Sequence, residues 1–376
     1  MSTARRRLPS ISSYIVQQVL GTGFETGSRA RVYTIIMSFN VAIVGPGDLT
    51  GQELLKLLAQ RRFPINRLQL IEGPVGLATS KPVTFGGREL EAREITSRAF
   101  RDIDIVFFCG SAELANQFAT PASEQGALVI DLTGAFRGDD KTPGVIPQIN
   151  AAELQHLKKR RIVASPSPAV IQLLLPLNTF RQWTSLKRLV VHSFEPVSEG
   201  GQTAMELFSA EVKQVMEGKN VVPHAFSHQI AFNVLPETEN ALDTGLTRSE
   251  WRIIREVRRI WKLPDLNISV MCLRVPVYIG MSQSVLVDLG KRVSPEEIRE
   301  VLSDTPGVRL QDDPTVNLYP HPWQAVNQDD VLVGRIRELD STHNTIGLWS
   351  VMDNLRRGAA LNALKIAESA IEQKLV

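Results

Sequence analysis

The stretch that most constrains this chain is Asn40-Val41-Ala42-Ile43-Val44-Gly45-Pro46-Gly47-Asp48-Leu49-Thr50-Gly51. Its apolar run predicts a buried strand over 41–44 and its glycines a tight loop, and Leu54, Leu55, Leu57 and Leu58 then recur at helical spacing until Pro64 forbids continuation. Strand, glycine loop and helix open a doubly wound α/β domain. Thr50 and Glu53, three residues apart, read as a capping box. Gly45, Gly47 and Gly51 let backbone N–H groups approach an anion at the positive end of the helix. The spacing, G-x-G-x-x-x-G, is one residue longer than the usual dinucleotide fingerprint, so a nucleotide loop and an ordinary tight βα turn both remain open. The next apolar run, Leu68 to Ile71, ends at Glu72, where an acid would hold a ribose 2′-OH and favour NAD over NADP.

The alternation continues with a strand expected over 103–108, a helix over 113–125 and a strand over 127–132, which together predict a mostly parallel sheet. After about Pro143 the segments 186–194, 268–277 and 284–289 are β-rich and alternating, the mark of a second, more antiparallel domain. The segment 355–375 reads as a helix returning to the first domain. The expected division is therefore 37–142 with 353–376 as a dinucleotide-binding-type domain, and 143–352 as the second. A chain of 376 residues with 43% hydrophobic side chains can fill two such cores and is not a disordered chain. Its 42 basic and 40 acidic residues argue against a nucleic-acid or membrane-surface partner. Two cysteines, Cys109 and Cys272, rule out a disulfide framework and point to a cytoplasmic setting. Met1 to Ile36, with Arg5, Arg6, Arg7, Arg29 and Arg31 against a single acid, Glu25, shows no period and reads as a disordered extension or a misassigned start.

The order of the remaining motifs is more specific. From Asn40 onward the chain resembles aspartate-semialdehyde dehydrogenase in the glycine loop, in "AFRGDD" at 135–140, "IPQIN" at 146–150, "FEPVSEGG" at 194–201 and "QIAFNVLP" at 229–236. The resemblance continues through "CLRVPVYIG" at 272–280, "YPHP" at 319–322, "DVLVGRIR" at 330–337 and "DNLRRGAALNALKIAE" at 353–368. It implies an α/β fold: a Rossmann-like cofactor domain closed by the C-terminal helix, plus an α+β mixed-sheet domain for catalysis and dimerisation, assembled as a homodimer. It also implies a chemistry in which a cysteine attacks an aldehyde, hydride leaves to NADP, and phosphate releases the acyl group. The cofactor set carried over is Gly45, Gly47, Thr50, Gly51, Glu72, Cys109, Gly110 and Asn354.

The catalytic positions depart from the family. Pro168 stands where the resemblance calls for the cysteine, Met281 where it calls for the acid/base histidine, and Glu195 where it calls for a substrate-positioning glutamine. Neither proline nor a thioether can attack a carbonyl or carry a proton at neutral pH. Ser167 replaces an asparagine beside the nucleophile, Asp48 replaces a loop glycine, and the Arg and Ser used on the NADP 2′-phosphate are missing after Glu72. A carboxylate near a pyrophosphate is unfavourable unless it turns away.

The binding frame survives. Thr247 and Glu250 form a second expected capping box, opening a helix whose Glu256 and Arg259 share a face with Arg252, while Trp251, Ile254, Val257 and Trp261 line the other side. Spacing alone also allows Glu256 and Arg259 to be a plain surface pair. The resemblance matches Glu256 to a substrate-amine ligand, Arg259 and Arg137 to phosphate ligands, and Arg274 to the clamp on a substrate carboxylate. Cys109 is open to two readings, a substitute nucleophile or a buried small hydrophobe. His224 and His228, four apart beside Pro223, do not make a metal site. The expected protein lacks the thioester reaction and binds a small anionic ligand or a dinucleotide, NAD or NADP. An oxidoreductase of non-thioester mechanism and a structural partner of an active paralogue stay open beside it.

Overall fold

The computed structural model describes residues 17–18, 34–35, 37–73, 83–158, 160–236, 238–340 and 344–376. Within the leader, Gln17–Gln18 pairs antiparallel with Thr34–Ile35. The rest of the leader, the segment 74–82 after Glu72, and His343 lie outside the described residues.

The first sheet is built from β1 (Phe39–Val44), β2 (Ile65–Glu72), β3 (Ile105–Phe108), β4 (Leu128–Asp131) and β5 (Ile162–Ala164), with the short strand Arg93–Glu94 at its far edge. Its order is β5-β4-β3-β1-β2 and then Arg93–Glu94, with every neighbouring pair parallel. β1, β3, β4 and β5 are buried almost throughout, as strands covered on both faces must be. One face is covered by α1 (Leu49–Gln60) and α7 (Leu361–Glu372), the other by α2 (Ala112–Glu124). β5 extends this sheet past residue 142, where the sequence pattern changes.

The second sheet contains β6 (Leu186–Glu195), β7 (Asn267–Arg274), β8 (Met281–Leu289), β9 (Val308–Leu310), β10 (Val331–Asp340) and β11 (Thr345–Met352), in the order β7-β6-β8-β11-β10-β9. The three central pairings are antiparallel and the two edge pairings parallel. α3 (Pro168–Trp183), α5 (Arg248–Trp261) and α6 (Pro295–Ser303) share one apolar core with it, and α4 (Gly201–Met216) packs in a smaller cluster.

The C-terminal segment differs from the expected single helix. It begins as a π-helical turn, Arg356–Ala360, before α7 continues on the first core. The first capping box is also corrected. Asp48 caps α1 through the Thr50 N–H at 2.9 Å, while Glu53 is buried and bonded to Arg356 Nη1 at 2.7 Å. The nearer acceptor captures the helix end, and the guanidinium captures Glu53. The Thr247–Glu250 box forms in full.

Gly51 shows why the loop needs glycines. A Cβ there would lie 2.3 Å from the Gly45 carbonyl oxygen and 2.9 Å from Pro46 Cα, both backbone atoms that cannot step aside. Gly51→Ala is therefore expected to cost about 3 kcal/mol by overpacking, read as a lower midpoint in urea unfolding with an unchanged slope. An unaltered midpoint would show that the loop yields.

Candidate active site

A cleft of about 280 Å³ opens between the two sheets, where the α1 N-terminus, the loop after β3, the α3 N-terminus and the ends of β6, β7 and β11 converge. Pro168 and Met281 both line it, together with Glu195, Arg274, Arg137, Thr50, Cys109, Gly110 and Asn354. Gly45, Gly47, Gly51, Glu72, Glu256 and Arg259 are not among its lining residues, and Arg259 borders two other surface pockets.

Pro168 is at the first position of α3, where its fixed φ and missing N–H cost nothing. The neighbouring Ser167 N–H donates to Glu256 Oε2 at 2.9 Å, so a carboxylate already sits at this helix end. Glu256 is buried, and its Oε1 has no partner among the described residues. Trp251 is 41% exposed, so the faces expected for α5 are partly exchanged. Glu256 packs inward because it is bonded to the α3 entrance, and Trp251 lies against the Arg255 guanidinium at the surface.

At the end of β6 and β7, Glu195 lies 3.5 Å from Arg274, with the two residues 6% and 5% exposed. Arg274 also donates to the Pro196 carbonyl at 2.7 Å and stacks over Phe226. Burial pushes Glu195 up to about 7, against the pull of Arg274 and with the added repulsion of Glu199 and Glu239. The pocket therefore holds one carboxyl poised near neutrality.

Arg137 and Arg259 are turned to structural work. Arg137 donates to the carbonyls of Ser165 and Leu132, both at 2.9 Å, and Arg259 donates to those of Arg137 and Thr142. Asn354, fully buried, accepts from the Gly280 N–H and donates to Ser198 Oγ and to Glu199 Oε1 at 2.7 Å. Cys109 is a buried thiol held well above its usual range, by burial and then by Asp48 and Asp131, which disfavours the thiolate. Sequence reasoning missed Glu239 and Glu199, and placed Arg252 on the Glu256 face without giving it a role in the site. Arg252 and Glu239 form an ion pair on the cleft wall, and only the fold brings them together.

The glycine loop fits a dinucleotide in shape. Gly45 has φ +78°, and a Cβ there would meet Gly110 backbone at 2.6 Å. Two carboxyls border it: Glu72 accepts the Gly47 N–H at 3.0 Å, while Asp48 holds the helix end. Burial raises both carboxyls, and Asp48 further raises Glu72. Two acidic side chains this close to the loop disfavour a 2′-phosphate beside them.

Residues 40–157 match the family model described as semialdehyde dehydrogenase, NAD binding domain, and residues 174–357 match the semialdehyde dehydrogenase, dimerisation domain. Aspartate-semialdehyde dehydrogenase of Aquifex aeolicus is 36% identical over 343 residues, covering 90% of this chain and 100% of that protein. The chain belongs to the aspartate-semialdehyde dehydrogenase family. The Bacillus subtilis member is 35% identical over 345 residues, with 90% and 99% covered. The crystal structure of aspartate semialdehyde dehydrogenase II from Vibrio cholerae superposes with a TM-score of 0.86 at 31% identity, covering 89% of this chain and 99% of that one. The family's Rossmann-like NAD-binding domain and mixed-sheet dimerisation domain are thus both present, with Pro168 and Met281 in the cleft between the two sheets.

Proposed function

We propose that this chain is a family member without the thioester reaction, and that its cleft serves as a binding site for a small anionic ligand and an NAD-type dinucleotide. The observation that supports this reading is the cleft lining: Pro168 and Met281, at the positions the resemblance gives to the nucleophile and the acid/base, sit there together with Arg274, the residue it gives to the carboxylate clamp. Losing the nucleophile alone removes on the order of 10⁶ in rate, roughly 8 kcal/mol of transition-state stabilisation. A dinucleotide would rest on Gly45, Gly47, Thr50 and Gly51, with Glu72 on the ribose, and NAD when bound supplies a hydride acceptor. Arg274 would hold a ligand carboxylate once Glu195 is protonated or displaced. We further read the protein as a homodimer through the second domain and as cytoplasmic, which two buried free thiols suit. No helix of the described residues is long and apolar enough to cross a membrane.

The test has two parts. Incubated with aspartate semialdehyde, phosphate and NADP or NAD, the purified protein should give no measurable reduction, whereas phosphate-dependent reduction at a rate of seconds would sink the proposal. Titration calorimetry with NAD, NADP, phosphate and aspartate, singly and in pairs, should show saturable binding of aspartate and of NAD in preference to NADP. Silence from all four would remove the ligand-binding role.

A second reading rests on the placement of Glu195, buried in the cleft 3.5 Å from Arg274 and pushed by burial up to about 7, which suits a general base in a non-covalent oxidation. NAD-dependent turnover of an amino-acid semialdehyde, lost in Glu195→Gln, would establish it. Turnover that persists in that variant would exclude Glu195 as the base.

A further inference from the structure

The second sheet carries α3, α5 and α6 on one face. Val285 and Leu348 point into that core, so their neighbours Ser284 and Trp349, paired across β8 and β11, face the other way. There they line a second cavity, of about 390 Å³, with Tyr319, His321, Arg335 and Arg337. Its size lies within the range of about 300–1,000 Å³ usual for small-molecule sites. Among the described residues no carboxylate lines it, and three basic side chains stand beside two aromatic rings.

Plain strand alternation would not bring two arginines here. Val331 and Val333 are core residues, and an unbroken β10 would carry positions 335 and 337 onto the same buried face. Between Gly334, opposite Trp349, and Arg337, opposite Gly347, β10 holds one residue more than β11. The bulge puts Ile336 in the core and turns Arg335 and Arg337 outward to the cavity. Arg335 takes φ +55°, a conformation that a residue with a side chain seldom adopts. Asp312 holds it there. Its side chain, 4% exposed, accepts from the Arg335 N–H at 2.6 Å, the Ile336 N–H at 3.2 Å and Arg299 Nε at 2.8 Å. Arg337 Nη1 donates in turn to the Arg335 carbonyl at 2.7 Å, so the bulge also fixes the second guanidinium. Strained backbone secured in this way gathers at binding sites.

The aromatic wall is set as firmly. Trp349 Nε1 donates to the Pro320 carbonyl at 3.0 Å, and its ring centroid lies 5.5 Å from that of Phe194. The Pro320 segment lies directly on β10, since a Cβ at Gly334 would come within 2.7 Å of Pro320 Cδ. Two main-chain bonds between Asp313 and Leu318, at 2.8 and 3.0 Å, close the loop from which Tyr319 and His321 emerge.

We propose that this cavity binds a small aromatic phosphate monoester, its phosphate on Arg335, Arg337 and His321 and its ring against Trp349 and Tyr319. Two guanidiniums offer paired donors to a dianion, and an indole of fixed orientation offers a stacking surface. The site belongs to the second domain alone and shares no lining residue with the cleft, so it holds whether or not the cleft binds a ligand.

Phenyl phosphate is the probe, titrated by calorimetry into the full chain as it assembles in solution, with inorganic phosphate and phenol as separate arms. Wild type should bind phenyl phosphate saturably and at least tenfold more tightly than either fragment. Arg335→Met and Arg337→Met, both at exposed positions, should each weaken it at least tenfold. Trp349→Leu should reduce it to the affinity of inorganic phosphate. Arg252→Met, which removes a cation from the cleft wall, should bind as wild type does. No saturable binding in wild type overturns the proposal, and so do equal affinities for phenyl phosphate and inorganic phosphate. Binding lost in Arg252→Met but kept in both bulge variants would place the probe in the cleft and overturn it as well. Sedimentation of the same samples supplies the last arm: a wild type that binds no probe, with bulge variants altered only in oligomeric state, would make this face a contact between copies and not a ligand site.

Discussion

Replacing Glu195 with glutamine should tighten aspartate binding at pH 8 by about tenfold and abolish its pH dependence. In the wild type Arg274 faces an internal carboxylate at 3.5 Å in a site where both groups are buried. Burial holds Glu195 near 7, so at pH 8 it is mostly ionised and occupies the clamp, and at pH 6 it is mostly neutral and releases it. If a ligand carboxylate requires the neutral form, wild-type affinity falls by roughly a factor of 10 between pH 6 and pH 8, since each unit above the pKa is a tenfold loss. The same group has a stability consequence of defined sign. The folded chain holds the Glu195 proton more tightly than the unfolded chain, so stability is greatest below about 4.5 and falls as pH rises towards about 7, after which the contribution is constant. Glu195→Gln should flatten that part of the stability profile. Equal aspartate affinities at pH 6 and pH 8 in the wild type would mean that Glu195 does not compete for Arg274.

How much of this was readable beforehand follows from the range of each interaction. The strand, glycine loop and helix at 41–58 and the Thr247–Glu250 box are local, decided within a few residues, and both elements are present. The collinear motifs carried the two-domain fold because a whole family shares that order. Local reading failed where a distant group won. Glu53 is taken from Thr50 by Arg356, about 300 positions away, and Glu256 is drawn inward by the Ser167 amide. The resemblance assigns Arg137 and Arg259 to phosphate, yet both guanidiniums are bonded to main-chain carbonyls, a choice set by loop geometry that spacing does not encode. The Arg252–Glu239 pair and the Glu199 contact to Asn354 join different elements and carry no periodic signal. Asp48 was flagged by its charge alone, and what it does there, capping α1, rests on the carboxylate turning in towards the helix end.

The largest effect on stability is expected at Arg356, which ties the C-terminal segment to α1. Its Nη1 donates to Glu53 at 2.7 Å, its Nε to Asp329 at 2.7 Å and its Nη2 to Gln60 at 3.0 Å. Glu53 is 6% exposed, and its other ionic contact, Lys56 at 3.3 Å, comes from a side chain largely in solvent. Arg356→Met removes one partner and leaves a buried carboxylate behind, which costs about 3–5 kcal/mol. Glu53→Met strands the guanidinium in turn, although Asp329 remains to it, so its cost should be smaller. Changing both residues to methionine replaces the pair with apolar volume and should recover most of the loss, because desolvating two ions offsets much of their mutual attraction. A double-mutant cycle by urea unfolding therefore should return a coupling energy of about 2–3 kcal/mol between residues far apart in sequence. Such a coupling would establish that the C-terminal turn is held to the first domain by this ion pair. A coupling near zero would assign that closure to the apolar face of α7 alone, through Leu361, Leu364 and Ile366, and would reduce Arg356 to a capping role.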